Sequence, residues 1–317
     1  MAHMIERNED MFYVRNVPWH GLGIMLDEPP TSREAIVAAG LDWEVKQELV
    51  YYKTSWTQTE DIPNYKVNIR RDNGKVLGIV SDRYSVLQNV DAFEFVDNLI
   101  SEGVVTYETA GCLEGGKRIW LLARLPETYI LDDQVDRYLC FSHGHDGRNP
   151  IKAYLTGIRV VCNNTLTMSM AHAQRTWSSK HVGNLADKLS DAKITLGLVD
   201  HYFHSLRNLA ERTAQIPLSE SRIELLTQNI FPMPDTATDR TKANVLNMRE
   251  ELLYRHRHAP DLANFRNTGW GYISATTDYV THSKPLRETA RWRENRFSNL
   301  LEGSSIVNTA IELVLAA

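Results

Sequence analysis

The sequence has no apolar run long enough to span a membrane, and its polar start, Met1 to Asp10, lacks the apolar core of a signal peptide. A cytoplasmic, host-cell location with no membrane partner is therefore expected. Cysteine is scarce. Cys112, Cys140 and Cys162 are too few and too scattered for a disulfide framework, and each is read as a small buried hydrophobe. Nucleotide signatures are missing as well. Gly21-Leu-Gly23 is not followed by the third glycine of a dinucleotide fingerprint, and no Walker-type phosphate loop occurs, which disfavours ATP hydrolysis by that route. There is no Gly-x-Ser-x-Gly elbow and no carboxylate cluster of the kind a two-metal nuclease needs. No cofactor is expected.

What is present is an ordinary globular composition. At 317 residues, 43% hydrophobic and 24% charged, the chain can bury a full core. The net charge of -5 argues mildly against nucleic acid, but binding follows local patches rather than the total. Charge is segregated here. From Arg148 to Lys193 the cations Arg148, Lys152, Arg159, Arg175, Lys180, Lys188 and Lys193 face only Asp187 and Asp191.

The pattern along the chain predicts three regions. Residues 1–65 read as an N-terminal extension with a helix from Ser32 to Ala39, a strand from Trp43 to Trp56 and a loop from Asp61 to Tyr65. Residues 66–183 read as an α+β core: a hairpin turning at Asp72-Asn-Gly74, a helix carrying Ala92, Phe93, Val96, Leu99 and Ile100 on one face, and several strands. The core is expected to end in a helix from Asn164 to about Arg175. Residues 184–317 read as mostly helical. There Leu185, Leu189, Ala192, Leu196, Val199, Phe203, Leu206 and Ala210 form a heptad-like stripe on one long helix. Packing onto the chain's own core and contact with a second subunit both fit that stripe.

The most informative stretch runs from Asp146 to Leu166. Alternation places Ile151, Ala153 and Leu155 on one face of a strand and Lys152, Tyr154 and Thr156 on the other. A basic, aromatic, hydroxylic face suits a nucleic-acid backbone, although a solvated sheet face has the same pattern. Arg118, Trp120, Leu122 and Arg124 likewise share a face next to Lys117. A Trp between two Arg side chains can stack a base while the guanidiniums hold phosphates; a Trp packed under a helix is the plainer reading. Arg83 and Tyr84, in Ser81-Asp-Arg-Tyr84, suit the backbone too, or an Arg–Asp structural pair. Arg159, Arg175 and Lys180 complete the candidate nucleic-acid residues. Cys140, His143 and His145 invite a zinc reading, but their spacing matches no standard module, and Cys140 and His143 point to opposite faces of a strand. No metal is expected. His20, between Trp19 and Gly21-Leu-Gly23, is either a buried, hydrogen-bonded histidine or part of a polar site.

Several blocks together resemble a family of phage- and plasmid-encoded proteins defined by a domain of unknown function. They are Met1-Ala-His3, Trp19-His-Gly-Leu-Gly23, Leu77 to Tyr84, Gly115 to Trp120, His145-Asp-Gly147, Arg159 to Leu166 and the Trp270 to His282 helix. A second resemblance, in the order of elements from Val76 to Arg175, is to Rad fifty-two type single-strand annealing proteins. It implies a curved antiparallel sheet packed on helices, ring or filament assembly, and ATP-independent binding of single-stranded DNA in a basic groove. Arg83, Lys152 and Arg175 take the matching positions. The chain departs from that pattern in the segment Asn164 to Ala173, which carries no lysine or arginine. The expected function is a single-stranded DNA-binding and annealing protein that forms a homo-oligomer. An accessory protein that binds a host protein is the rival, and an enzyme using His20 and His145 comes third.

Overall fold

The computed structural model describes residues 10–14, 23–100, 106–131, 133–159, 164–166, 176–196, 199–284 and 304–317. His20, Cys162, Asn163, Arg175 and the helix expected over Leu286 to Leu300 lie outside the described residues. The fold is mixed α+β, with a C-terminal region that is largely helical. The chain divides into two compact units. The first comprises 1–125, 138–155 and 176–197; the second comprises 126–137, 156–175 and 198–317.

The larger sheet contains β1 (Met11–Val14), β2 (Ile24–Leu26), β6 (Thr106–Leu113), β7 (Arg118–Ile130), β8 (Asp133–Gly144), β9 (Ile151–Arg159), β10 (Asn164–Leu166) and β11 (Thr176–Ser179). Its order is β10-β9-β8-β7-β6-β1-β2, with β11 also on β9. β6 and β7 are antiparallel, as are β1 and β6, but β1 and β2 run parallel. The sheet is thus mixed where a purely antiparallel one is expected. A smaller antiparallel sheet holds β3 (Val45–Lys53), β4 (Thr59–Arg70) and β5 (Val76–Ser81).

Local chemistry accounts for most of these elements. β4 and β5 turn at Asp72-Asn73-Gly74, where Gly74 takes φ +72° in open space. The loop expected from Asp61 to Tyr65 is instead strand. Pro63 is accommodated there because the β3–β4 ladder shifts register between Leu49 and Tyr51. β6 reaches β7 through Glu114, Gly115 and Gly116, all at positive φ. α1 (Ser32–Ala38) is capped by Thr31, whose N–H and hydroxyl donate to Glu34 at 2.9 and 2.8 Å. α2 (Asn89–Ile100) buries Ala92, Phe93, Phe95 and Val96.

The helix expected to open at Asn164 is corrected at its first turn. Asn164–Leu166 is strand, paired with Gly157 to Arg159 of β9. A sheet ladder satisfies the backbone there, and local capping preference loses to it. The long stripe is also divided: α3 (Leu185–Leu196) belongs to the first unit and α4 (Val199–Ala214) to the second. Ala192, Phe203, Leu206 and Ala210 are all buried, which favours internal packing as the stripe's role.

The second unit also holds α5 (Glu220–Ile230), α6 (Asp239–His258), α7 (Gly269–His282) and α8 (Ser305–Leu315). α7 is its centre, buried continuously from Gly269 to Thr277. A methyl group on Gly271 would lie 2.0 Å from the Phe265 carbonyl oxygen, so only glycine fits.

Candidate functional site

Two arrangements in the first unit stand out. One is a sheet face. α2 covers one side of the large sheet: Phe93 packs on Tyr107, while Phe95 packs on Phe141 and Trp177, with ring centroids 5.1, 5.3 and 5.6 Å apart. Tyr107 pairs with Ala123, and Trp177 pairs with Ala153. Residues directly opposite in a ladder share a face, and alternate residues change face. Arg118, Trp120, Leu122 and Arg124 of β7 and Lys152 of β9 therefore lie together on the side away from α2. All five are half-buried, whereas Ile119, Leu121, Ala123, Ile151, Ala153 and Leu155 are buried on the α2 side.

The other expected residues scatter. Tyr154 shares the outer face but is buried, as is Thr156, so the expectation that Lys152, Tyr154 and Thr156 form one open face is corrected. Only Lys152 of the three reaches toward solvent, with Nζ 5.9 Å from the Tyr154 ring centre. Tyr84 is buried too. Arg83, in the turn after β5, and Lys180, just past β11, are exposed outside the sheet. Lys117 pairs with Glu114 at 3.5 Å. Arg159 pairs with Asn164 in the ladder.

The second arrangement is a buried cluster of imidazoles. His143, on β8, and His145, just past its end, are two residues apart on the α2 side, and His181 joins them from the segment after β11. The ring of His143 is 4.8 Å from that of His145 and 5.9 Å from that of His181. Tyr84 stacks on His181, and Trp43 meets the edge of His145. His145 Nε2 is 3.0 Å from Asn89 Oδ1, and His181 Nδ1 is 3.3 Å from the Ser85 carbonyl. Because both partners are acceptors, these nitrogens carry the protons. The remaining nitrogens, His145 Nδ1, His181 Nε2 and both of His143, find no hydrogen-bond partner among the described residues.

Burial keeps all three rings neutral. It is the main reason that the pKa of His145 is pushed down to about 3, helped by His181 and Arg70. Burial likewise takes His181 to about 4, with Lys188 adding to it while the Ser85 carbonyl and Asp146 oppose. His143 is held well below the ordinary value by burial, then by its two neighbours. Cys140 is 2% exposed, and burial pushes its thiol up to about 12, which leaves it unreactive. Among the described residues, no three His, Cys, Asp or Glu side chains are grouped so as to hold a metal ion. A cavity of about 30 Å³ touches His181, Ser85 and Lys188; it has room for little more than a water molecule.

Reasoning on sequence missed Asn89 and His181. Asn89 sits at the start of α2, where an Asn signals capping. Its amide instead donates to the Leu41 and Trp43 carbonyls, at 2.9 and 3.2 Å. His181 lies in a non-periodic segment, and nothing local marks it.

A profile of the DUF932 domain, a domain of unknown function, matches residues 76–301. The chain belongs to the DUF932 family. The matched DUF932 region contains β7, β9 and the three histidines, while β3 and β4 precede it. No curated protein and no solved structure matches the chain. Among the described residues of this DUF932 chain, no helix is long and apolar enough to cross a membrane.

Proposed function

We propose that the chain binds single-stranded DNA on the side of the large sheet that faces away from α2, and that it promotes annealing without ATP. The observation that carries this reading is the common face of Arg118, Trp120, Arg124 and Lys152. Guanidinium and ammonium groups neutralise phosphates there, and the indole offers a flat surface to a base. The chemistry is non-covalent. A phage or plasmid origin and assembly into a homo-oligomer belong to the same proposal, through the resemblance to annealing proteins.

The test is fluorescence anisotropy with a labelled oligonucleotide across a salt series. Binding that weakens steeply with salt supports the reading, because each neutralised phosphate releases counterion. No binding at low salt overturns it.

A second reading, docking on a host protein, is favoured by one observation. Trp56, at the tip of the β3–β4 hairpin, is 98% exposed, and Leu49 and Tyr51 on the same hairpin are more than half exposed. Exposed apolar side chains grouped on one element mark interaction sites. A Trp56→Ser variant that binds DNA like the parent but loses a host protein captured by the parent would support that reading.

A further inference from the structure

We infer that Asp146 and Asn149 form a positioning device that sets the Arg118 guanidinium for phosphate; the inference rests on the DNA-binding reading above. Arg118 Nη2 donates to Asn149 Oδ1 at 2.8 Å. Asn149 Nδ2 donates to Asp146 Oδ2 at 2.9 Å. Asp146 Oδ1 accepts from the backbone N–H groups of Arg148 and Asn149, at 2.9 and 3.2 Å. The three side chains form a directed chain from a backbone-anchored carboxylate, through an amide used on both ends, to a cation. The amide orientation is fixed, because a flipped Asn149 would set its NH2 against Arg118 and its oxygen against Asp146.

The loop that carries the device is held on several sides. The Lys117 carbonyl accepts from the His145 N–H at 2.8 Å, the Asn68 amide donates to the His145 carbonyl at 2.8 Å, and the Tyr84 hydroxyl donates to the Gly144 carbonyl at 2.5 Å. No side chain fits beneath it. A methyl group on Gly144 would lie 2.6 Å from Asn149 Cβ, and one on Gly78 would lie 2.7 Å from the Asp146 backbone. A guanidinium has five donors in a rigid fork. Fixing the fork through Nη2 spares the ordering cost when a phosphate arrives.

The role predicts a pattern that plain structural support does not. Asn149→Ala keeps every charge but frees the Arg118 fork. Affinity for a single-stranded oligonucleotide should fall about five- to tenfold, the size of one net hydrogen bond, with the slope of log affinity against log salt unchanged. Arg118→Ala should lower affinity and reduce that slope by about 0.7, the share of one phosphate contact on a single strand. The double variant should behave as Arg118→Ala alone. Additive losses would overturn the positioning role, because Asn149 would then act independently of Arg118. Side-chain NMR gives a readout that needs no DNA: the Arg118 Nε–H signal should be sharp in the parent and averaged in Asn149→Ala. An unchanged signal overturns the device even where affinity falls. A parent that shows the sharp signal but binds no DNA overturns the DNA-binding reading, and with it the assignment to phosphate, while leaving the Arg118 geometry intact.

Discussion

The ring of Tyr84 lies flat against that of His181, with centroids 4.7 Å apart and planes 15° from parallel, while its hydroxyl donates to the Gly144 carbonyl. One side chain thus joins the turn after β5, the segment after β11 and the end of β8. Tyr84 is a fastening inside the first unit.

Tyr84→Phe should therefore cost stability and spare ligand binding. The stacked ring remains, but the Gly144 carbonyl, in a buried residue, loses its donor. A loss of about 1–3 kcal/mol is expected for a buried group left unpaired. Urea denaturation measures it. A variant of parental stability with weaker DNA binding would place Tyr84 at the ligand instead.

The histidine cluster makes the fold sensitive to acid. Folded pKa values lie below the ordinary 6.5, at about 3 for His145 and about 4 for His181, with His143 shifted the same way. The unfolded chain therefore binds protons first. Stability is full above pH 6.5 and declines as pH falls from there toward about 4, by about 1.4 kcal/mol per pH unit for each histidine still neutral in the fold. Around the cluster, Asp146 attracts charge to His181, while Arg70 and Lys188 repel it from His145 and His181. His143→Phe removes one proton-binding ring and should make the decline shallower. Denaturant midpoints at pH 7, 6 and 5 test this; equal slopes in parent and variant would contradict it.

Gly78→Ala should be strongly destabilising. Its Cβ would meet the Cα and carbonyl of Asp146 at 2.7 Å, and a backbone segment cannot swing aside as a side-chain tip can. A cost of about 1–3 kcal/mol is the ordinary size of such overpacking. Gly74→Asn is the control. Gly74 has open space around it, and Asn tolerates its left-handed conformation. Thermal melts should separate the two clearly.

Lys152→Glu should weaken binding to single-stranded DNA without unfolding the chain, since partly exposed substitutions seldom cost more than about 0.5 kcal/mol. Lys53→Glu, on the exposed end of β3, should bind like the parent. If both variants bind normally, the outer face of β9 is not the DNA surface. Unfolding of Lys152→Glu would mean that the lysine is required by its neighbours in the fold.

The sequence was readable where structure is local. The Asp72-Asn-Gly74 turn, the one-sided apolar pattern of α2, the alternation of β7 and helices α5 to α8 each depend on residues a few places apart. Distant partners decided the rest. Tyr154 alternates outward as predicted but is buried. Asn164 has a capping side chain, yet its backbone pairs with Arg159. The stripe from Leu185 to Ala210 keeps a helical period while serving two cores. The candidate site was half legible: Arg118, Trp120, Arg124 and Lys152 gather on one face, but Asn149 and His181 enter through contacts that no spacing announces.

The buried amide of Asn68 receives its partner, the His145 carbonyl, from 77 residues further along the chain. Gly78 is likewise shaped for the backbone of Asp146. The β3-β4-β5 sheet is made of hairpins between neighbouring strands, yet one of its surfaces is shaped for the loop that follows β8, which is synthesised later. A loop of that length must close before any of these contacts contributes. Until the segment after β8 has been synthesised, the Asn68 amide has no carbonyl at this position to donate to.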